Sequence, residues 1–236
     1  MIQMVPSRTI PDLEEITVSD ISSFLPNAVS ASMRQRLIDT IVADRRHKGA
    51  DFNIMEGGYP RYVSPFPPEL IRQGLSPDAN GVTVAPHNPP VNRGSKPLLL
   101  IGTMAFGTSQ DALNERLVRL YSTIMHEYQH ALQWRHPSEA RAKGEHRREV
   151  DAFFWEIENS RRTGLFWQRG PFRHVWDEAL RHWRAFLNSS YWNNLPIDER
   201  ARYARWYERV SEVVIEALHS RPTARISVQG VQRKPA

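Results

Sequence analysis

Hydrophobic positions recur with a helical period over much of the chain. Between residues 29 and 47, Met33, Leu37, Ile41 and Val42 fall on one side of a predicted amphipathic helix, which Lys48-Gly49 ends. Residues 50–95 break the pattern. They are rich in proline and glycine and predict an irregular region with short strands such as Val82-Thr83-Val84. The run Pro97-Leu98-Leu99-Leu100-Ile101-Gly102-Thr103 is the strongest strand signal. A long helix is predicted next, starting near Thr108 or Ser109 with Asp111 in its first turn. Leu113, Leu117, Leu120, Ile124 and Ala131 form its apolar face. It should stop before Pro137, with Ser138 capping the segment that follows and Gly144 interrupting it. A further helix carries Val150, Phe153, Phe154 and Ile157 and is predicted to close at Gly164. Two more helices are predicted near 171–188 and 196–219, with Arg221-Pro222 ending the last.

These elements predict a mainly α, α+β protein with a small sheet packed against helices. The expected organisation is an N-terminal helical extension over 1–50, a core over 51–165, C-terminal helices packed on that core over 166–221, and a loose tail over 222–236. At 236 residues with 40% hydrophobic content, the chain can bury a proper core. No stretch approaches the roughly 20 apolar residues of a membrane-spanning helix, so no membrane partner is expected. The N-terminus has neither a basic start nor an apolar stretch of signal-peptide length, which predicts a cytoplasmic protein unless export uses a signal-less route. All but four of the 31 basic residues are arginine, and the net charge is +5. The charges are scattered among acidic residues, which favours a solvated surface over a nucleic-acid face.

The densest chemistry lies in the long helix. His126-Glu127-Tyr128-Gln129-His130 is an HExxH pentapeptide. Residues i and i+4 of a helix lie about 40° apart in projection, so both imidazoles can reach one metal ion. Glu127 then stands beside the ion, where a general base can take a proton from a water. Histidines and a glutamate among Ile124, Met125, Ala131 and Leu132 are expensive to bury unless something satisfies them. Cysteine is absent, which excludes disulfides and thiolate ligands, so any zinc must be held by His and carboxylate groups.

A catalytic zinc site needs a third protein ligand. Glu149, 19 residues past His130, opens a helical run, and Ala152 one turn on would let two helices approach closely. His136 is a rival by spacing, and a solvated Glu149 paired with Arg147 or Arg148 is the plain alternative. Glu145 and His146 lie nearby, His146 one turn before Glu149. Glu156, two turns after Glu149, is a candidate outer partner for a ligand histidine. His174, His182, Tyr191, Tyr203 and Tyr207 are candidate donors to an oxyanion.

HExxH followed by Glu-x-x-Ala on a second helix resembles the gluzincin zinc peptidases, most closely the small minigluzincins, over about residues 95–160. The resemblance implies a zincin-like core, Zn2+ bound by His126, His130 and Glu149, Glu127 as the catalytic base, and a protein or peptide substrate. It also implies that the strand before the HExxH helix is a sheet edge along which substrate lies extended. Phe153 stands where the thermolysin-type pattern has a bracing aspartate, and Asp151 should point away from the site. The metzincin pattern fails because Gln133 replaces its glycine. The alternative function is a catalytically silent, metal-stabilised interaction module: a toxin, a regulator or a contractile-injection-system component. Val231-Gln232-Arg233-Lys234 is similar to patches in bacterial proteins associated with such systems.

Overall fold

The run of apolar residues around Leu99 forms a strand buried on both of its faces. In the computed structural model, which describes residues 30–43, 59–108 and 110–219, this strand is β3 (Leu98–Ile101). It lies in the middle of a three-stranded sheet, between β1 (Arg61–Tyr62) and β2 (Gly81–Val84). β1 runs parallel to it, pairing Arg61 with Leu100 and Tyr62 with Ile101. β2 runs antiparallel, from Gly81 opposite Ile101 to Val84 opposite Leu98. The expectation that β3 is the edge is therefore corrected. Leu99 and Ile101 join apolar clusters with the HExxH helix, while Leu100 packs among Phe66, Leu70 and Val84 on the other face. A strand covered on both faces reads as a continuous apolar run, and the pairing along both of its edges makes it the central strand here. Among the described residues, the edges are β1 and β2.

The predicted N-terminal helix is α1 (Ala31–Ala43), and the five-residue α2 (Pro68–Arg72) follows β1. Leu37, Ile38 and Ile41 of α1 pack with Ile101 and with Leu117, Leu120 and Ile124 of the long helix α3 (Leu113–Gln133). A 3-10 turn (Thr103–Phe106) joins β3 to the approach to α3. Asp111 does not lie in the first helical turn. Its carboxylate instead accepts from the main-chain N–H of Thr108 at 2.8 Å, closing a separate turn before α3 begins. α3 ends at Gln133, and α4 (Pro137–Lys143) starts with its proline in the first turn, where a missing N–H costs nothing. Ser138 is thus inside α4 and does not cap it.

Gly144, with φ +72°, separates α4 from α5 (Glu145–Glu158). α5 stops earlier than expected. Gly164, left-handed at φ +80°, closes the short α6 (Ser160–Thr163) that follows it. A 3-10 turn (Leu165–Trp167) leads into α7 (Arg169–Leu187), then α8 (Ser190–Asn193) and α9 (Ile197–His219). α5, α7 and α9 share one aromatic cluster. In it Phe154, fully buried, lies 5.5 Å from Trp183 and 5.4 Å from Trp206, and Trp183 stacks on Tyr207 at 5.3 Å.

Helix accounts for 67% of the described residues, so the protein is mainly α with a small mixed sheet. Among these residues no helix is long and apolar enough to cross a membrane. The tail from 222, the Val231–Lys234 patch and most of the segment 1–50 lie outside the described residues.

Candidate metal centre

α3 and α5 cross so that three side chains meet. On α3, His126 and His130 are one turn apart and turn their Nε2 atoms toward each other, 3.1 Å apart. On α5, Glu149 answers both. Its Oε2 lies 3.3 Å from His126 Nε2 and its Oε1 lies 3.2 Å from His130 Nε2. Among the described residues, His126, His130 and Glu149 form a group whose donor atoms all lie within 4.8 Å of one another. Ala152, fully buried one turn after Glu149, keeps the α5 surface narrow at the crossing.

The second nitrogen of each ring is also engaged. His126 Nδ1 is 3.2 Å from Glu156 Oε2, and Glu156 is buried with its other oxygen accepting from the Ser122 hydroxyl. His130 Nδ1 is 3.1 Å from Gln133 Oε1. The amide orientation of Gln133 follows from its other end, where Nε2 donates to the Arg148 carbonyl at 3.0 Å. Both Nδ1 atoms therefore face acceptors and carry the ring protons. Each Nε2 is left as a lone pair directed at the other and at a carboxylate. Three acceptors converging within hydrogen-bond distance repel unless a proton or a cation lies between them. Two imidazoles and a carboxylate suit a divalent ion of the zinc type.

The protonation pattern reflects this crowding. Burial works against the charged form of both histidines. For His126, hydrogen bonds and charges from Glu149 and Glu156 more than compensate and hold its pKa well above the ordinary imidazole value. His130 is raised as well, mainly by the charge of Glu149 against the cost of burial. Burial would raise the Glu149 carboxyl, but the two histidines pull it well below its usual range. Glu127 goes the other way. Burial pushes its carboxyl up, against the pull of His130, His126 and a hydrogen bond from Thr83.

Glu127 is buried and stands next to the ligand group without joining it. Phe153, at the position of the absent bracing aspartate, closes one wall instead. Its ring lies 4.3 Å from that of His126 and 5.8 Å from that of His182. His182 is buried, its Nδ1 3.2 Å from His146 Nδ1 and its Nε2 receiving an N–H of Arg181 at 2.7 Å.

The remaining candidates are elsewhere. His136 is exposed at the start of α4, because α3 ends at Gln133 and the chain turns away. Arg147 pairs with Glu199 and Arg148 reaches the Ala140 carbonyl, so neither takes Glu149. Asp151 does point away, pairing with Lys143 and accepting from Tyr203. Tyr203 and Tyr207 belong to the aromatic cluster, and Tyr191 covers Gly144.

Thr83 and Gln133 are site residues that the sequence reading did not assign. Gln133 had a signal, being three residues after His130 and so on its helix face. Thr83 had none, since it is 44 residues from Glu127 on a strand.

The chain matches no protein-family model, no curated protein and no solved structure at a significant level.

Proposed function

We propose that the protein is a zinc-dependent metallopeptidase with a zincin-like core, in which His126, His130 and Glu149 hold the metal and Glu127 is the general base. The observation that carries this reading is the meeting of the two Nε2 atoms and the Glu149 carboxylate within 3.1–3.3 Å, with both Nδ1 atoms already occupied by acceptors. An arrangement of lone pairs at such separations calls for a proton or a cation between them, and a divalent cation satisfies all three donors at once. The likeness to gluzincins in the HExxH and Glu-x-x-Ala segments supports the same assignment.

A zinc ion bound there supplies a Lewis acid that polarises a carbonyl and brings the pKa of a water toward neutrality. The chain's own groups do the rest. Glu127 accepts the proton of the attacking water on its carboxylate and then delivers it to the departing amine nitrogen. Burial raises its carboxyl above the ordinary range, which strengthens it as a proton acceptor. Glu156 and Gln133 keep the Nδ1 protons in place, which fixes the tautomer that leaves each Nε2 free to ligate. β2 is the sheet edge on the side of Glu127, so it replaces β3 as the strand beside which an extended peptide would lie.

Metal analysis of protein purified without chelator, together with casein cleavage by wild type and Glu127→Gln, tests the proposal. One zinc per chain in both proteins, and cleavage by wild type alone, is the expected result. A wild type without stoichiometric zinc ends the proposal. Zinc binding with equal absence of cleavage in both proteins favours a metal-stabilised interaction module.

A further inference from the structure

Glu127 rests on the edge strand β2 at two points. Thr83 Oγ1 lies 2.8 Å from Glu127 Oε2 and 2.8 Å from the main-chain oxygen of the same residue. The one hydroxyl hydrogen is shared between the carboxylate and the main-chain oxygen of the same residue, which draws the Glu127 side chain to the strand and back over its own helix. Two residues earlier on the same strand face, Gly81 leaves room for the side chain. A Cβ at Gly81 would lie 2.9 Å from Glu127 Cγ and 3.1 Å from Oε1. The mount is rigid, because Thr83 pairs with Leu99 of the buried central strand.

This matters because Glu127 follows a ligand histidine directly. A carboxylate tethered there is drawn to any divalent cation at His126, His130 and Glu149, and an anionic oxygen outcompetes water as a ligand. Glu127 nevertheless stands outside the converging donor group. We propose that Thr83 is a positioning residue that holds the Glu127 carboxylate on β2, keeping the base from becoming a fourth protein ligand. The inference rests on the catalytic reading of the centre and adds to it the device that separates base from ligand. Helix geometry sets Glu127 beside the ligand face, and the β2 hydroxyl adds a restraint from a different element on its flexible carboxylate.

The test uses the full chain with Thr83→Val, Thr83→Ala and Thr83→Ser. Zinc affinity is measured by chelator competition, and Co2+ serves as a spectroscopic probe of the ligand set. Loss of the hydroxyl in Val or Ala frees Glu127 to bind the metal. Zinc affinity then rises, as expected when a fourth protein ligand joins the other three. The Co2+ visible spectrum shifts from that of wild type, and casein cleavage falls about a hundredfold, as for a displaced general base. Thr83→Ser restores all three readings. Adding Glu127→Gln to Thr83→Val returns zinc affinity to the wild-type level.

Wild-type affinity and Co2+ spectrum in both Val and Ala overturn the proposal, as does a Ser variant that rescues nothing. A wild type that binds no zinc overturns the reading of the centre and takes this inference with it. A zinc-binding wild type with unaltered Thr83 variants overturns the positioning role alone.

Discussion

Glu156 Oε2 lies 3.2 Å from Nδ1 of His126, although the two residues are 30 apart in the chain and on different helices. Glu156 is on the same helix as Glu149, two turns further on, so one face of α5 reaches both nitrogens of the His126 ring.

Removing this outer contact should weaken metal binding without removing a ligand. Glu156→Gln is expected to lower zinc affinity about tenfold and Glu156→Ala up to about a hundredfold, by analogy with other outer-partner changes. Gln133→Ala should cost less, because its partner His130 also loses only a neutral acceptor. Chelator competition measures all three. An affinity unchanged by Glu156→Ala would remove Glu156 from the centre.

Metal uptake should release protons. In the metal-free protein the pKa values of His126 and His130 are raised and that of Glu149 is lowered. Near neutral pH a proton is therefore retained where the cation must bind. Zinc displaces it, so about one proton should appear in solution per zinc bound. The sign follows directly. Affinity rises with pH while the histidines still carry the extra proton, and falls as the solution is acidified. A pH indicator in weakly buffered solution at pH 7 gives the stoichiometry. Stoichiometric zinc uptake with no proton release would contradict the raised histidine values.

Gly144 should resist substitution. Its φ of +72° with ψ 163° lies in a region that is essentially confined to glycine, and a Cβ there would come within 2.5 Å of the Tyr191 ring. Gly144→Ala is expected to destabilise the fold by about 1–3 kcal/mol from backbone strain alone. Adding Tyr191→Ala should relieve the collision and leave the strain. Denaturant unfolding of both variants separates the two parts. An alanine at 144 tolerated without loss would mean that the chain turns differently before Glu149.

Much of the site could be read in the sequence because helix geometry is local. The i, i+4 spacing of His126 and His130 dictates a shared face, and Glu156 stands two turns from Glu149 by the same arithmetic. The long helices were legible for the same reason, their apolar positions following the helical period. The strand order was not. β1 has only two residues and β2 only four, too few to carry a periodic signal, and β3 reads as apolar wherever it lies in a sheet. Thr83 was hidden by distance, since nothing near it in the chain announces that a strand will pass under Glu127. The start of α3 moved because the Asp111 carboxylate is taken by Thr108.

Glu149, Phe153 and Glu156 project from one side of α5, while Val150, Phe154 and Ile157 anchor the adjoining side among the aromatics of α7 and α9. Ligand, wall and brace therefore turn together with a single rod. A small roll of that rod, caused by repacking far beneath it, would misalign all three at once. If the centre takes zinc as proposed, its affinity becomes a gauge of how firmly the C-terminal helices are seated, and distant core substitutions should register at the metal before they register in unfolding.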